Sequence, residues 1–177
     1  MPTLDEIKED IKRHENAPLL EGKSGFTPTQ VKRSDGTVEQ FLTGGYGHIL
    51  TAAESKLYKG KKVPQDVIDK WFDIDFAKAH KSAESQAKHI KAPSLVGALS
   101  SVNFQLGTSW NKKFKNTWKD MEQGRWKSAA VGALSGSKPN TQSAWFKQTP
   151  TRAKAFSNAL IQKGTVPAGN LTPVKKP

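Results

Sequence analysis

The chain has 177 residues, no cysteine, and a formal net charge of +12 from 28 Lys and Arg against 16 Asp and Glu. That length fits one domain, or one domain with two lobes sharing a hinge. The lack of cysteine excludes disulfides, thiolate nucleophiles and thiolate metal sites, and no apolar run approaches the ~20 residues of a membrane-spanning helix.

The first predicted element is a helix over roughly 4–15. Thr3 and Glu6 form a capping-box pattern, and Leu4, Ile7 and Ile11 follow at helical spacing. Pro18 marks its end, and Gly22, Gly25 and Pro28 punctuate a loop from Asn16 to about Thr29. A hairpin is expected next, from Gln30–Arg33 and Val38–Thr43 around Ser34-Asp35-Gly36-Thr37. The glycines of Gly44-Gly45-Tyr46-Gly47-His48 then allow tight backbone approaches.

Pro64 opens a long helix with Ile68, Trp71, Phe72, Asp75, Phe76 and Ala79 on one face. Further helices are predicted from Pro93 to about Gly107, around Phe114–Met121 up to Gly124, and over Trp126–Leu134. A last one begins at Thr149-Pro150, an N-cap followed by proline at the first helical position, and runs to Gly164. Thr165–Pro177, with three prolines and two lysines, reads as a linker-like tail. The expected architecture is α+β: a small β-hairpin lobe at about 12–62, a connecting helix at about 63–90, and a helical lobe at about 91–164. Ligands commonly bind in the cleft between such lobes.

A strongly basic chain attracts polyanions, whether nucleic acid, anionic membrane or an acidic cell wall. Charge by itself favours nucleic acid, with a merely solvated basic face close behind. His14, His48, His80 and His89 lack metal-ligand spacing, so neither metal nor cofactor is expected. Met1–Glu6 lacks a signal-peptide pattern, so we expect delivery across a membrane to depend on another component.

Two carboxylates stand out. Glu15 falls within ~20° of Leu4 at ~100° per residue, so it ends the apolar stripe of the first helix. Desolvation there would suit a general acid, whereas fraying would turn Glu15 to water. Asp75 lies on the apolar face of the long helix and needs a cation or several donors if buried. His48 is its candidate partner, in a structural ion pair. Asp35 is placed for turn chemistry, while Glu39 and Thr43 share one strand face.

Four segments then carry a resemblance. They are Arg13-His14-Glu15-Asn16, Thr43-Gly44-Gly45-Tyr46-Gly47-His48-Ile49-Leu50-Thr51, Asn103-Phe104-Gln105-Leu106-Gly107, and Trp145-Phe146-Lys147-Gln148-Thr149-Pro150-Thr151-Arg152-Ala153. In this order and at these separations, over about 4–163, the chain resembles the T-even-type phage lysozymes. The resemblance implies a lysozyme-like fold and a muramidase that cleaves peptidoglycan between N-acetylmuramic acid and N-acetylglucosamine. It implies Glu15 as general acid, Thr43 as the hydroxyl that orients water, and His48 and Asp75 as a structural pair. Phe104 and Gln105 would hold glycan or stem peptide, with Arg152 beside Glu15.

The family also places a carboxylate about nine residues after the acid and six before the Thr; here those positions hold Ser24 and Thr37. The loop is longer than usual, so Asp35 is expected to take that role, ahead of Glu39 and Glu21. An inverting glycosidase requires the two carboxyls ~6.5–9.5 Å apart. Two other functions stay open: a lytic transglycosylase using Glu15 alone, and a basic non-catalytic virion or nucleic-acid-binding module. The muramidase reading implies peptidoglycan as partner, no nucleic acid, no membrane span and a monomer. It would be held in the host cytoplasm until holin-dependent release, or carried in the virion, and would act at the cell wall.

Overall fold

The structure is a computed structural model that describes residues 1–33 and 35–165. The tail expected at 165–177 falls outside them except for Thr165, which continues the last helix.

Helix α1 (Leu4–Leu20) opens with the capping box: Glu6 N–H donates to Thr3 Oγ1, and Thr3 N–H donates to the Glu6 carboxylate. Its regular part ends at Glu15. Asn16 adopts extended backbone (φ −159°, ψ 79°), and one further turn runs from Ala17 to Leu20. The sequence reading placed that turn in the loop. Proline could not continue the first helix, because its ring would strike the carbonyl four residues back. After the break, Pro18 falls in the first turn of a new segment, where a missing N–H costs little.

Strands β1 (Thr29–Lys32), β2 (Val38–Gly44) and β3 (His48–Ile49) form an antiparallel sheet in that order. Thr43 pairs with Thr29 on one side and Ile49 on the other, and Gly44 pairs with His48. The β1–β2 turn is closed by Arg33 N–H to Thr37 C=O at 2.7 Å. Helix α2 (Ala52–Tyr58) was not expected, yet Thr51 and Glu54 form a second capping box at its start.

Helix α3 (Gln65–His89) links two hydrophobic clusters. Ile68, Trp71, Phe72 and Phe76 pack with Ile11, Leu19, Tyr46 and Leu50 in the first. One stripe further along, Ala83 and Ala87 enter the second cluster, with Leu99, Trp110, Met121 and Phe156. Each large apolar side chain so buried contributes roughly 1.5–3 kcal/mol. A single 3₁₀ turn at Pro93–Leu95 leads into α4 (Val96–Leu106), which ends at Gly107 with φ +87°.

Helices α5 (Trp110–Lys113), α6 (Lys115–Glu122), α7 (Trp126–Leu134), α8 (Ala144–Gln148) and α9 (Pro150–Thr165) follow among the described residues. Buried Gln86 of α3 and Asn103 of α4 exchange side-chain hydrogen bonds at 3.2 and 3.0 Å, and Asn103 also donates to Ala79 C=O. That polar lock fixes the helix carrying Phe104 and Gln105 against α3. The fold is thus mixed α+β, mostly helical, with one small antiparallel sheet. No helix among the described residues is long and apolar enough to cross a membrane.

Candidate active site

Glu15 ends the regular part of α1 with its side chain only 17% exposed. Its Oε1 accepts from Arg152 Nη1 at 2.5 Å, and the Arg152 side chain is 8% exposed. The same guanidinium reaches α4, where Nη2 donates to Ser101 C=O and Oγ at 3.3 and 3.2 Å. Arg152 sits in the first turn of α9, placed there by the Thr149-Pro150 start. One side chain therefore gathers α1, α4 and α9 around the carboxylate.

The other oxygen, Glu15 Oε2, faces the β2–β3 turn. Gly47 has φ +84°, and a Cβ there would lie 3.0 Å from Oε2. A glycine lets the turn backbone approach the carboxylate this closely, and its conformation is one other residues rarely adopt. A neighbouring contact ties helix to turn: Asn16 Nδ2 donates to Gly45 C=O at 3.2 Å.

Thr43 lies in the middle strand, half-buried. Strand alternation puts its side chain opposite Leu42, which packs on the first cluster, and on the same face as Phe41 and Glu39. Thr43 thus faces away from that core, beside exposed Ile49.

His48 and Asp75 are brought together: Nδ1 lies 2.8 Å from Asp75 Oδ2. A third group completes the site, since Nε2 lies 3.2 Å from Glu54 Oε2. Trp71 stacks on the imidazole at 4.6 Å and donates from Nε1 to Glu54 Oε1 at 3.0 Å. Burial alone pushes the His48 pKa down. Hydrogen bonds donated to Asp75 and Glu54, with the charges of those carboxylates, outweigh it and raise the pKa above the usual value. Burial likewise pushes Glu54 up, but its bonds to the Thr51 backbone, His48 and Trp71 bring it below the usual carboxylate value.

Gln105 is held from both ends, accepting from Trp145 Nε1 at 2.9 Å and donating to Thr149 Oγ1 at 3.0 Å. Phe104 packs on the first cluster with its ring 5.4 Å from Phe72. A groove of about 310 Å³ between α1, α4 and α9 opens onto Arg152, with Ile7, His14 and Phe156 in its wall. Glu15, Thr43 and Phe104 do not line it.

Asp35 makes its hydrogen bonds to Thr37, not to Glu15. Its carboxylate closes its own turn, accepting from Thr37 N–H at 2.9 Å and Thr37 Oγ1 at 2.6 Å. Those bonds, led by the hydroxyl, hold its pKa below the usual value although it is exposed. From Thr43 to Val38 is five strand steps, about 17 Å at ~3.3 Å each, and Asp35 lies beyond. Glu39 pairs with Arg33 at 3.5 Å and Glu21 with Lys23 at 2.6 Å. Arg152 is the one side-chain hydrogen-bond or ion-pair partner of the Glu15 carboxylate among the described residues.

Sequence reasoning missed Glu54, Ser101 and Asn16. Thr51-x-x-Glu54 is a readable capping box and could have revealed the first; nothing local marks Ser101. No cluster of potential metal ligands occurs among the described residues. No protein-family model matches the chain.

Proposed function

We propose that this protein is a muramidase of the phage lysozyme type, cleaving the glycan of peptidoglycan with Glu15 as general acid. The observation that carries this reading is the asymmetric setting of the Glu15 carboxylate. Oε1 is held by Arg152, while Oε2, beside the Gly47 backbone, has no hydrogen-bond partner among the described residues. A protonated Oε2, free of other partners, can donate to a glycosidic oxygen brought beside it, and Arg152 then steadies the carboxylate left behind. Positioned proton transfer of this kind is worth roughly 10²–10⁴-fold in rate.

On this reading the glycan lies between a sheet-bearing lobe (about 12–62) and a helical lobe (about 91–164), joined by the long helix. Thr43 presents a hydroxyl that can hold the attacking water. Phe104 and Gln105 line the helical side. The net charge of +12 favours capture by a wall rich in carboxylates. The protein would act as a monomer at the cell wall, reaching it from the host cytoplasm or with the virion.

A second reading rests on a specific observation: Asp35, Glu39 and Glu21 are each engaged elsewhere. A lytic transglycosylase needs only one acid/base. There Glu15 protonates the leaving oxygen, then takes a proton from the muramic acid hydroxyl as that hydroxyl closes on the anomeric carbon. Mass spectrometry of digested peptidoglycan tests both. Reducing-end muropeptides support hydrolysis, anhydro-muropeptides support transglycosylation, and no glycan cleavage would sink both.

A further inference from the structure

The residue after the candidate acid has three engagements. Asn16 Oδ1 accepts from Leu19 N–H at 3.2 Å, which caps the turn that begins at Ala17. Asn16 Nδ2 donates to Gly45 C=O at 3.2 Å, across 29 positions of sequence. Gly25, with φ +91°, closes over the amide: a Cβ there would lie 2.7 Å from Nδ2 and 2.9 Å from Oδ1. Only one orientation of the amide gives the acceptor to an N–H and the donor to a C=O, so the contacts fix the flip.

Adjacent residues thus grip one turn. Asn16 binds Gly45 C=O, and the Glu15 carboxylate lies against Gly47 two residues later. The turn packs on α3: a Cβ on Gly45 would lie 3.4 Å from Ile68 and 3.7 Å from Trp71. A helix that stops at Glu15 would otherwise leave that residue in a fraying last turn.

We propose that Asn16 is the positioning residue for the acid, holding Glu15 in register with the Gly45–Gly47 turn. This rests on the reading of Glu15 as proton donor. Asn16 does not touch the reacting atoms. Its amide N–H, bonded to Gly45, fixes where the Glu15 Cα stands, while its oxygen serves the cap. The two tasks are separable by mutation.

Asn16→Ser and Asn16→Asp both keep a capping oxygen and lose the amide donor. With solubilised peptidoglycan strands as substrate, each variant should show kcat reduced about 10- to 100-fold, since misplacement by about 1 Å costs that much. KM should stay within about twofold and the melting temperature within a few degrees. Serine adds no charge beside Glu15, so a loss shared by both variants is one of position. In the Glu15→Gln background Asn16→Ser should add nothing to the residual rate, because residues acting as a unit are not additive.

Wild-type kcat in both variants would overturn the proposal, as would a full multiplicative loss in the Glu15→Gln background. A measurement on the unmodified protein does not depend on any variant folding. The Asn16 side-chain amide should exchange slowly with solvent by NMR, and exchange at the rate of a free amide would also overturn it. A Glu15→Gln enzyme as fast as wild type would instead remove the acid assignment itself.

Discussion

Arg152 Nη1 lies 2.5 Å from Glu15 Oε1, joining the end of the first helix to the start of the last across 137 positions of sequence. Both side chains are largely withdrawn from water. Removing Arg152 leaves Glu15 Oε1 and the Ser101 oxygens without their donor. Arg152→Ala should therefore cost about 2–4 kcal/mol, toward the range for broken buried pairs. Arg152→Lys should fall between, because an ammonium cannot hold Glu15 and Ser101 with the geometry of a planar fork. Denaturant titration reads both variants, and stability equal to wild type in Arg152→Ala would contradict this account of the pair.

The His48 network has a predictable pH signature. The folded His48 pKa is raised, so its contribution is complete below the unfolded value of ~6.5 and lost as pH rises through the folded value. The folded Glu54 pKa is lowered, so its contribution is complete above the unfolded value of ~4.3 and lost as pH falls through the folded value. The two overlap in mildly acidic solution. Glu54→Gln should cost about 1 kcal/mol near pH 6, and less above pH 9, where His48 is neutral. Thermal unfolding at the two pH values checks the difference; an unchanged penalty would mean that the 3.2 Å contact is electrostatically idle.

Asp35 is predicted to be dispensable for cleavage. Its carboxylate is engaged by Thr37 at the hairpin turn. Asp35→Asn should keep lysis within about threefold, well short of the ~10²-fold or greater loss of an acid–base group. A loss of that larger size would instead make Asp35 the water-activating base and would require the hairpin to close over the cleft. Retained activity with anhydro products would place the transglycosylase chemistry first.

What could be read from the sequence was local. The capping box at Thr3 and Glu6, the long stripe of α3 and the Thr149-Pro150 start of α9 each follow from neighbouring residues. The turn at Ala17–Leu20 was hidden because Pro18 reads equally as a stop and as a first-turn residue. The surroundings of Glu15 were not legible in the same way. Its cation comes from α9, to which the motif resemblance alone pointed, and its close neighbour Gly47 from a turn; pattern along a helix carries neither relationship. Glu54 joins two roles, a local cap and a bond to His48, and only the first leaves a local trace.

The central claim is that Glu15 delivers the proton, and one substitution tests it directly. Glu15→Gln preserves shape and can still accept from Arg152, but an amide cannot act as the acid. Lysis should be followed by turbidity on outer-membrane-permeabilised cells, with folding verified by circular dichroism. The account predicts a folded protein whose lysis rate falls by more than about 100-fold. A folded Glu15→Gln protein that lyses cells within about tenfold of the wild-type rate would contradict it.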